Sequence, residues 1–356
     1  MSHDFFALTA AVGFLAAVMV FARACADEGL FEAWGDVVAR ETTQSSTRRF
    51  ALVAVLIAVV TAVLTPHAAA VLLVPVLLVA ARNARRATGL AAIRIANTGS
   101  TLLPSSNITN LLAFAGTGLA FVEFAWLMLP VFAVGVAAEF AVLRWWFRKD
   151  FDDGPEPDVA EAPAVPLFPA AVVVAVLIAL SSGVDLWLSA LGGAILLGGY
   201  ALTRGTTTWR DLLDAANLPL AALVLAWALV VVLLAGTRAG DGIDRLVPSG
   251  PGLGALLVTA LVGMLAANIV NNMPAALLLL PAAAAAGPVT VLALLIGLNV
   301  GANLTGIGSL ANLLWRQAGP SDITSWRTFH ALGVVTTPVI VAVCTTVLWA
   351  WTSLVR

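Results

Sequence analysis

Four short polar segments interrupt apolar stretches of this sequence, at residues 65–67, 104–107, 268–274 and 301–309. Unpaired backbone groups in hydrocarbon are costly, so such interruptions persist only where neighbouring protein or a water-filled cavity satisfies them. Their side chains are mostly amides and hydroxyls, which donate and accept hydrogen bonds without carrying charge. This chemistry suits the reversible binding of a small polar solute.

Nine neutral polar residues in or beside these segments are the candidate substrate-binding residues: Asn107, Asn271, Asn272, Asn303, Thr305, Ser309, Ser105, Ser106 and Asn97. Half-helices that begin near residues 107 and 309 would direct the positive ends of their dipoles at whatever binds there. Interrupted segments in corresponding positions of two halves indicate a transporter's midplane site. We predict no catalytic residue, no metal ligand and no cofactor.

Two ionisable residues are candidates for coupling transport to an ion gradient. His67 lies at the tip of the first hairpin, in the polar segment 65–67, where an imidazole could move a proton near physiological pH. A hydrogen-bonded structural histidine fits as well. Arg94 lies in an apolar half-helix, where an arginine usually faces a partner or a cavity. It would pair with Glu123 or Glu139, or face a bound anion. We expect His330 at a membrane interface.

The composition excludes most soluble classes of protein. The chain has 356 residues, of which 61% are hydrophobic and 11% charged, and its mean hydropathy is +0.99. Soluble domains are about 45–50% apolar and about 25% charged. A formal net charge of −2 gives no basic surface for nucleic acid. We find no hydrolase, metalloprotease, Rossmann or P-loop motif in a fitting context, which predicts a protein that is not an enzyme and hydrolyses no ATP itself.

The apolar runs that must position the polar residues divide the chain into four parts. Residues 5–147 form a first membrane repeat and residues 217–356 a second, each with a re-entrant helical hairpin and a broken transmembrane helix. Residues 148–166 form an acidic, proline-rich cytoplasmic linker, and residues 167–216 form two connecting transmembrane helices. Since no such pair of helices precedes the first repeat, we expect that repeat to be shortened at its N-terminus. The predicted class is an all-α polytopic membrane protein.

An internal alignment supports the repeat. Residues 97–112 align without gaps on residues 299–314, with six of sixteen positions identical at a constant spacing of 202. Arginines near residues 82–86, 148 and 204–210 are expected on the cytoplasmic side. The first hairpin then enters from the cytoplasm and the second from outside, so the repeats have inverted topology, as alternating-access transporters do.

Several of these segments resemble the bacterial arsenite/antimonite efflux permeases of the ion transporter superfamily. The resemblance is carried by Ile-Val-Asn-Asn-Met-Pro-Ala at 269–275, Gly-Ala-Asn-Leu-Thr-Gly-Ile-Gly-Ser-Leu-Ala-Asn-Leu-Leu-Trp at 301–315 and Ser-Asn-Ile-Thr-Asn-Leu at 106–111. It implies a multi-pass protein of the bacterial inner membrane that holds arsenite or antimonite between hairpin tips and broken helices. It also implies export driven by proton exchange, or by a soluble ATPase subunit in some members.

Departures from the family pattern keep an alternative open. Pro66 and His67 stand where the family's first hairpin usually has Asn-Asp, and Arg94 replaces an apolar residue. Asn97 and Asn299 stand where some members have Asp. A site with less acid and more base would suit a carboxylate or another anion, which related branches of the superfamily carry. A channel or a non-transporting scaffold is a remoter reading. The coupling ion, a proton or sodium, and a homodimeric state are left open at this point.

Overall fold

The computed structural model describes residues 2–31, 33, 45–70, 84–151, 165–182, 184–219, 245–318 and 325–355, and the single residues 222, 226, 230, 242 and 323. Within these residues the chain is helical or irregular and forms no strand. Three predicted elements lie wholly or largely outside them: most of the first hairpin's return arm, the acidic linker, and the span that opens the second repeat.

The first half contains six helices in the described residues: α1 (Ser2–Asp27), α2 (Ser46–Val63), the short turn α3 (Pro66–Ala68), α4 (Arg85–Gly99), α5 (Ile108–Thr117) and α6 (Phe121–Trp146). A 3-10 segment, Pro104–Ser106, separates α4 from α5. The helices α7 (Leu167–Ser181), α8 (Leu186–Arg204) and α9 (Trp209–Ala215) follow the linker.

The second half contains α10 (Leu253–Val270), α11 (Asn272–Ala286), α12 (Pro288–Asn299), α13 (Leu310–Ala318) and α14 (Trp326–Leu354). The 3-10 segment Gly301–Asn303 follows α12, so the order of elements around it is the same as around Pro104–Ser106. The opposite membrane orientation of the two halves stays a prediction.

Among the described residues, four helices are long and apolar enough to cross a membrane, judged by length and composition: α2, α6, α10 and α14. A helix needs about 20 apolar residues to span the hydrocarbon core. α6 and α14 exceed that length with 26 and 29 residues. Together with the helical character of the described chain, these helices confirm the predicted class of a polytopic α-helical membrane protein.

Most buried apolar side chains of the described residues form two cores. One is built mainly from α1, α2, α4 and α8. The other is built mainly from α10, α11, α12 and α14. The long helices α6 and α14 pack against each other, and α6 also packs against α4. The helices that precede the polar segments 104–107 and 301–309, α4 and α12, therefore belong to different cores.

Helix α12 approaches α10 closely at two glycines. A Cβ at Gly297 would overlap the Ala260 carbonyl group, and a Cβ at Gly301 would lie 2.7 Å from the Met264 Cβ. Only a residue without a side chain allows such contact between backbones. We call the polar segments 104–107 and 301–309 the first and the second interruption. The close crossing places the second interruption directly on the last turns of α10, which lead to the second hairpin's tip.

Candidate functional site

The second hairpin turns at Asn271, whose backbone has φ 79°. A positive φ is uncommon for residues other than glycine, and asparagine adopts one more often than most residues do. Its side-chain oxygen accepts from the Met273 backbone N–H at 3.4 Å and so caps α11. Its Nδ2 donates to the Ile307 carbonyl at 3.1 Å, and the Asn272 backbone N–H donates to the Gly308 carbonyl at 3.0 Å. The tip is thereby joined to the second interruption.

Asn268, one turn before the tip, strengthens this junction. Its Oδ1 accepts from both the backbone N–H and the hydroxyl of Thr305, at 2.9 and 2.7 Å. Its Nδ2 donates to the carbonyls of Met264 and Gly301, at 2.7 and 2.8 Å. Three of these four hydrogen bonds join α10 to the second interruption, and the fourth, to Met264, stays within α10. Thr305, a predicted binding residue, is engaged by this amide.

The same tip also meets the starts of both half-helices. Met273 packs against Ile108, the first residue of α5, and both are at least 95% buried. Leu310, the first residue of α13, packs against this pair. We call this point, where Asn272 and Met273 meet the starts of α5 and α13, the junction. The positive ends of both half-helix dipoles lie at the junction.

Two amides hold the interruptions closed in an equivalent way. Asn110 Nδ2 donates to the Ser100 and Leu103 carbonyls at 2.7 and 2.9 Å. Asn312 Nδ2 donates to the Ala302 and Thr305 carbonyls at 2.9 and 3.0 Å. Donors and acceptors in the two sets differ by the same 202 positions. Each amide supplies partners to carbonyls that a broken helix would leave unpaired.

The two interruptions are also linked to each other by reciprocal amide bonds. Asn97 Nδ2 donates to Asn312 Oδ1 at 2.8 Å, and Asn299 Nδ2 donates to Asn110 Oδ1 at 2.6 Å. These two bonds again differ by 202 positions at both ends, with the halves exchanged. The contacts therefore have the pattern expected of two related halves that face each other.

A second pair of reciprocal bonds uses predicted binding residues. Asn107 Nδ2 donates to Asn299 Oδ1 at 3.0 Å, and Ser309 Oγ donates to Asn97 Oδ1 at 3.2 Å. Asn97 Nδ2 also donates to Asn303 Oδ1 at 2.8 Å. Asn97, Asn107, Asn303 and Ser309 are all at most 1% exposed. The structure brings these predicted residues together, but it uses their hydrogen bonds to bind the two halves to each other.

Arg94 is fully buried and paired. Its Nε donates to Glu139 Oε2 at 2.8 Å and its Nη2 to Glu139 Oε1 at 3.1 Å, and both side chains are 0% exposed. Arg94 also donates to the Asn303 carbonyl and to the Thr336 hydroxyl. Asn303 Nδ2 donates to the Arg94 carbonyl and to Glu139 Oε1. Of the two partners expected from the sequence, Glu139 is the one that the structure selects.

The first hairpin region contains buried polar atoms without partners. His67 is 6% exposed, and its Nδ1 has no hydrogen-bond partner within the described part of the chain. The same holds for Ser105 Oγ, in a residue that is 1% exposed. By contrast, Ser106 Oγ donates to the Ala62 carbonyl at 2.6 Å and accepts from the Leu103 N–H. Ser106 thus joins the first interruption to α2.

Asn272 differs from every other predicted amide. Its backbone N–H donates to the Gly308 carbonyl at the junction, 5% of the residue is exposed, and its side-chain amide makes no hydrogen bond to any residue that the structure describes. An amide without a protein partner at a polar junction is free to bind a ligand or water. Asn272, Ser105 and His67 are therefore the predicted residues with a side-chain polar group that has no partner within the described residues.

Four amides and one histidine of this region were not predicted as site residues: Asn110, Asn268, Asn299, Asn312 and His330. The amides were visible as members of the aligned repeat or of the amide-rich hairpin tip. His330 was expected at a membrane interface, which stays a prediction, and its contact with the loop was not foreseen: its Nε2 accepts from the Gly306 backbone N–H at 2.9 Å. No sequence pattern links these two positions.

Comparisons with known proteins place this architecture among membrane transport proteins. The sequence profile of a family described as citrate transporter matches residues 5–294. Three relatives are each called arsenical pump membrane protein. That of Yersinia enterocolitica is 27% identical over 350 residues, and those of Escherichia coli strain K12 and Shigella flexneri are each 28% identical over 350 residues. Each alignment covers 90% of this chain and 81% of the relative.

Proposed function

Because this chain belongs to the citrate transporter family, a family of multi-pass membrane transporters and not of enzymes, we propose that it exports arsenite or antimonite across the bacterial inner membrane. The names of its relatives support this substrate class. So do the segments around residues 269–275 and 301–315, which carry the resemblance to arsenite/antimonite permeases.

The observation that carries the proposal is the unpartnered amide of Asn272 at the junction. It is the predicted amide that a solute can contact without first breaking a hydrogen bond inside the described protein. An amide offers both a donor and an acceptor, as do the hydroxyl groups of a metalloid hydroxide. Ser105 Oγ and His67 Nδ1 are further partners without protein bonds. We assign Asn272 the main substrate contact, and the saturated amides the role of holding it in place.

The electrostatics of the junction favour an uncharged solute. Arsenite at neutral pH is an uncharged trihydroxide, and moving an unpaired charge into a buried site is far more costly than moving a neutral polar group. Arg94, the cation that an anion carrier would use, already has a carboxylate partner on two of its nitrogens. Its charge is therefore compensated before any substrate arrives.

A carboxylate remains the second candidate because the matching family profile is described as citrate transporter. In that case Arg94 would have to exchange Glu139 for the substrate. Such an exchange would leave the Glu139 carboxylate buried without its main partner, at a cost in free energy. Binding of an uncharged solute leaves the ion pair intact and avoids this cost. We therefore rank the carboxylate below arsenite.

We further propose that export proceeds by alternating access of two inverted repeats and is driven by proton exchange, with His67 as one coupling candidate. The related hydrogen bonds at a spacing of 202 support two equivalent halves. A sodium gradient, a homodimer and a soluble ATPase subunit stay predictions of the sequence analysis.

The test measures intracellular arsenic in an arsenite-sensitive bacterium that expresses the chain or its variants at matched levels. We expect the wild type to lower the accumulated arsenic and Asn272→Ala to raise the apparent KM about tenfold, since an amide makes one or two hydrogen bonds worth about 1 kcal/mol each. Ser189→Ala is the control because it too removes a polar group without a partner in the described structure, in this case a buried hydroxyl on α8.

Unchanged accumulation with the wild type would contradict arsenite export, and citrate uptake would then be the next assay. Transport by the wild type with an Asn272→Ala variant of equal KM would instead contradict the placement of the substrate at the junction.

A further inference from the structure

His330 lies in the second turn of α14 and reaches back to the second interruption. Its imidazole is exposed and stacks on the Trp326 ring, with centroids 5.7 Å apart and planes at 12°. Its Nε2 accepts from the Gly306 backbone N–H at 2.9 Å. Trp326 covers the other side of this contact, because a Cβ at Gly306 would lie 2.6 Å from its ring. The imidazole and the loop are thus held in one fixed arrangement.

This hydrogen bond exists in only one protonation state of the histidine. Nε2 can accept a proton from Gly306 only if it carries none itself, so the neutral ring has its hydrogen on Nδ1. In the imidazolium both nitrogens are donors, and the Gly306 N–H then faces another N–H. Histidine is the side chain that ordinarily changes charge near neutral pH.

We propose that His330 is a positioning residue for transport, which holds the second interruption when neutral and releases it when protonated. The proposal rests on the proposed function in placing the substrate at the junction. The loop from Thr305 to Ser309 contains the partners of the hairpin tip: Thr305 binds Asn268, and Gly308 binds the Asn272 backbone. Release of Gly306 therefore loosens the support of the Asn272 amide, and proton uptake from water weakens the substrate contact.

Few charged groups lie on the elements that pack around His330, so a change in its charge acts mainly on its hydrogen bond with Gly306. The described elements that pack most against α14 are α6, α10, α12 and the segment Gly301–Asn303, and of these only α6 carries ionisable side chains. The charged groups on α6, on α14 itself and on the neighbouring α13 are Glu123, Glu139, Arg144, Arg327 and Arg316. Glu139 is engaged by Arg94. Asp322, in the loop before α14, lies outside the described residues.

His330 is better placed than His67 for taking a proton from solvent. The imidazole of His330 is exposed, whereas His67 is 6% exposed. A proton on His67 would bring a charge into a buried site whose Nδ1 has no partner in the described structure. The two histidines thus provide a matched pair for experiment.

The test follows amide hydrogen exchange of the peptide spanning residues 304–309 in the purified full chain, corrected for the intrinsic pH dependence of exchange. We compare about pH 5.5 with about pH 8, the interval in which histidines change charge. In the wild type, protection should fall severalfold at the lower pH. His330→Gln, whose side-chain oxygen still accepts a hydrogen bond, should be protected equally at both values. His330→Ala should show low protection at both, and His67→Gln should behave as the wild type.

Protection that is independent of pH in the wild type, or that falls equally in His330→Gln, would overturn the proposal. The exchange measurement needs no substrate. A negative arsenite assay therefore contradicts the proposed function but leaves the pH dependence of the hydrogen bond between His330 and Gly306 to be decided by exchange alone. Where arsenite is exported, the pH profile of its KM should flatten in His330→Gln and stay as in the wild type in the control variant Ser189→Ala. A profile that His330→Gln leaves unchanged would reject the role in transport.

Discussion

Removing the charge of Glu139 should destabilise the protein more than any other single conservative change in the described structure. Glu139→Gln keeps the shape of the side chain but leaves the Arg94 guanidinium, which is 0% exposed, without a counter-charge. Breaking a buried ion pair from one side costs about 3–5 kcal/mol. The remaining contacts of Arg94 with the Asn303 carbonyl and Thr336 hydroxyl are neutral and do not replace the carboxylate.

The companion variants separate the ion pair from the shape of the site. Arg94→Met leaves the Glu139 carboxylate buried and should also destabilise, whereas the double variant Arg94→Met/Glu139→Gln removes both charges. In the double variant the amide at position 139 can still accept from Asn303 Nδ2, as Glu139 Oε1 does at 3.0 Å. We expect the double variant to lie within about 2 kcal/mol of the wild type, because replacing both members of a buried pair is often nearly neutral.

The measurement is the free energy of unfolding in mixed micelles, followed by fluorescence of the 11 tryptophans. A Glu139→Gln variant within about 1 kcal/mol of the wild type, or a double variant less stable than both single variants, would refute the reasoning. Transport gives an independent result. If the pair only supports the site, the double variant still exports arsenite, whereas an anion carrier that binds through Arg94 would lose its activity.

Two further predictions concern the interrupted helices. Asn97→Ala and Asn299→Ala should each lower the free energy of unfolding by about 2–3 kcal/mol, because each leaves a buried amide partner without its hydrogen bond, in equivalent places of the two halves. If chemical denaturation shows that one of the two variants is as stable as the wild type, the two positions are not equivalent. Gly297→Ala should cost about 1–3 kcal/mol through overlap with the Ala260 carbonyl. Gly192→Ala, in a helical position with open space around it, is the control and should unfold no earlier than the wild type.

The class of fold and the positions of the interruptions could be predicted because they depend on local composition. Apolar runs must be helical in a membrane, and clusters of proline, glycine and asparagine favour the end or the interruption of a helix, although single prolines lie inside α6 and α14. The structure accordingly ends α12 at Asn299 and starts α13 at Leu310, on either side of the polar segment 301–309. The partner of Arg94 was narrowed to two carboxylates for the same reason, because few charges occur in the apolar helices.

Which amides already have hydrogen-bond partners could not be predicted, since this depends on contacts between residues about 200 positions apart. Asn107 caps α5 as its sequence suggests, with its oxygen toward the Thr109 N–H, yet its other end donates to Asn299. Composition gives the number of donors and acceptors, but only the packing of the two halves decides which of them are already satisfied. The role of His330 could not be predicted for a related reason, because its Nε2 accepts a hydrogen bond from a backbone N–H in a loop that is distant in sequence.

The difference between satisfied and unsatisfied amides separates two effects that mutagenesis usually confounds. Asn97→Ala removes bonds that hold the halves together, so stability and transport should fall in parallel. Asn272→Ala removes no hydrogen bond that the described structure contains, because only the backbone of Asn272 is engaged, so the free energy of unfolding should stay within about 1 kcal/mol of the wild type while the KM rises. Measuring both quantities on both variants tests this distinction. An Asn272→Ala variant that is as unstable as Asn97→Ala would mean that this amide supports the fold, and the substrate site would then have to be sought at Ser105 and His67.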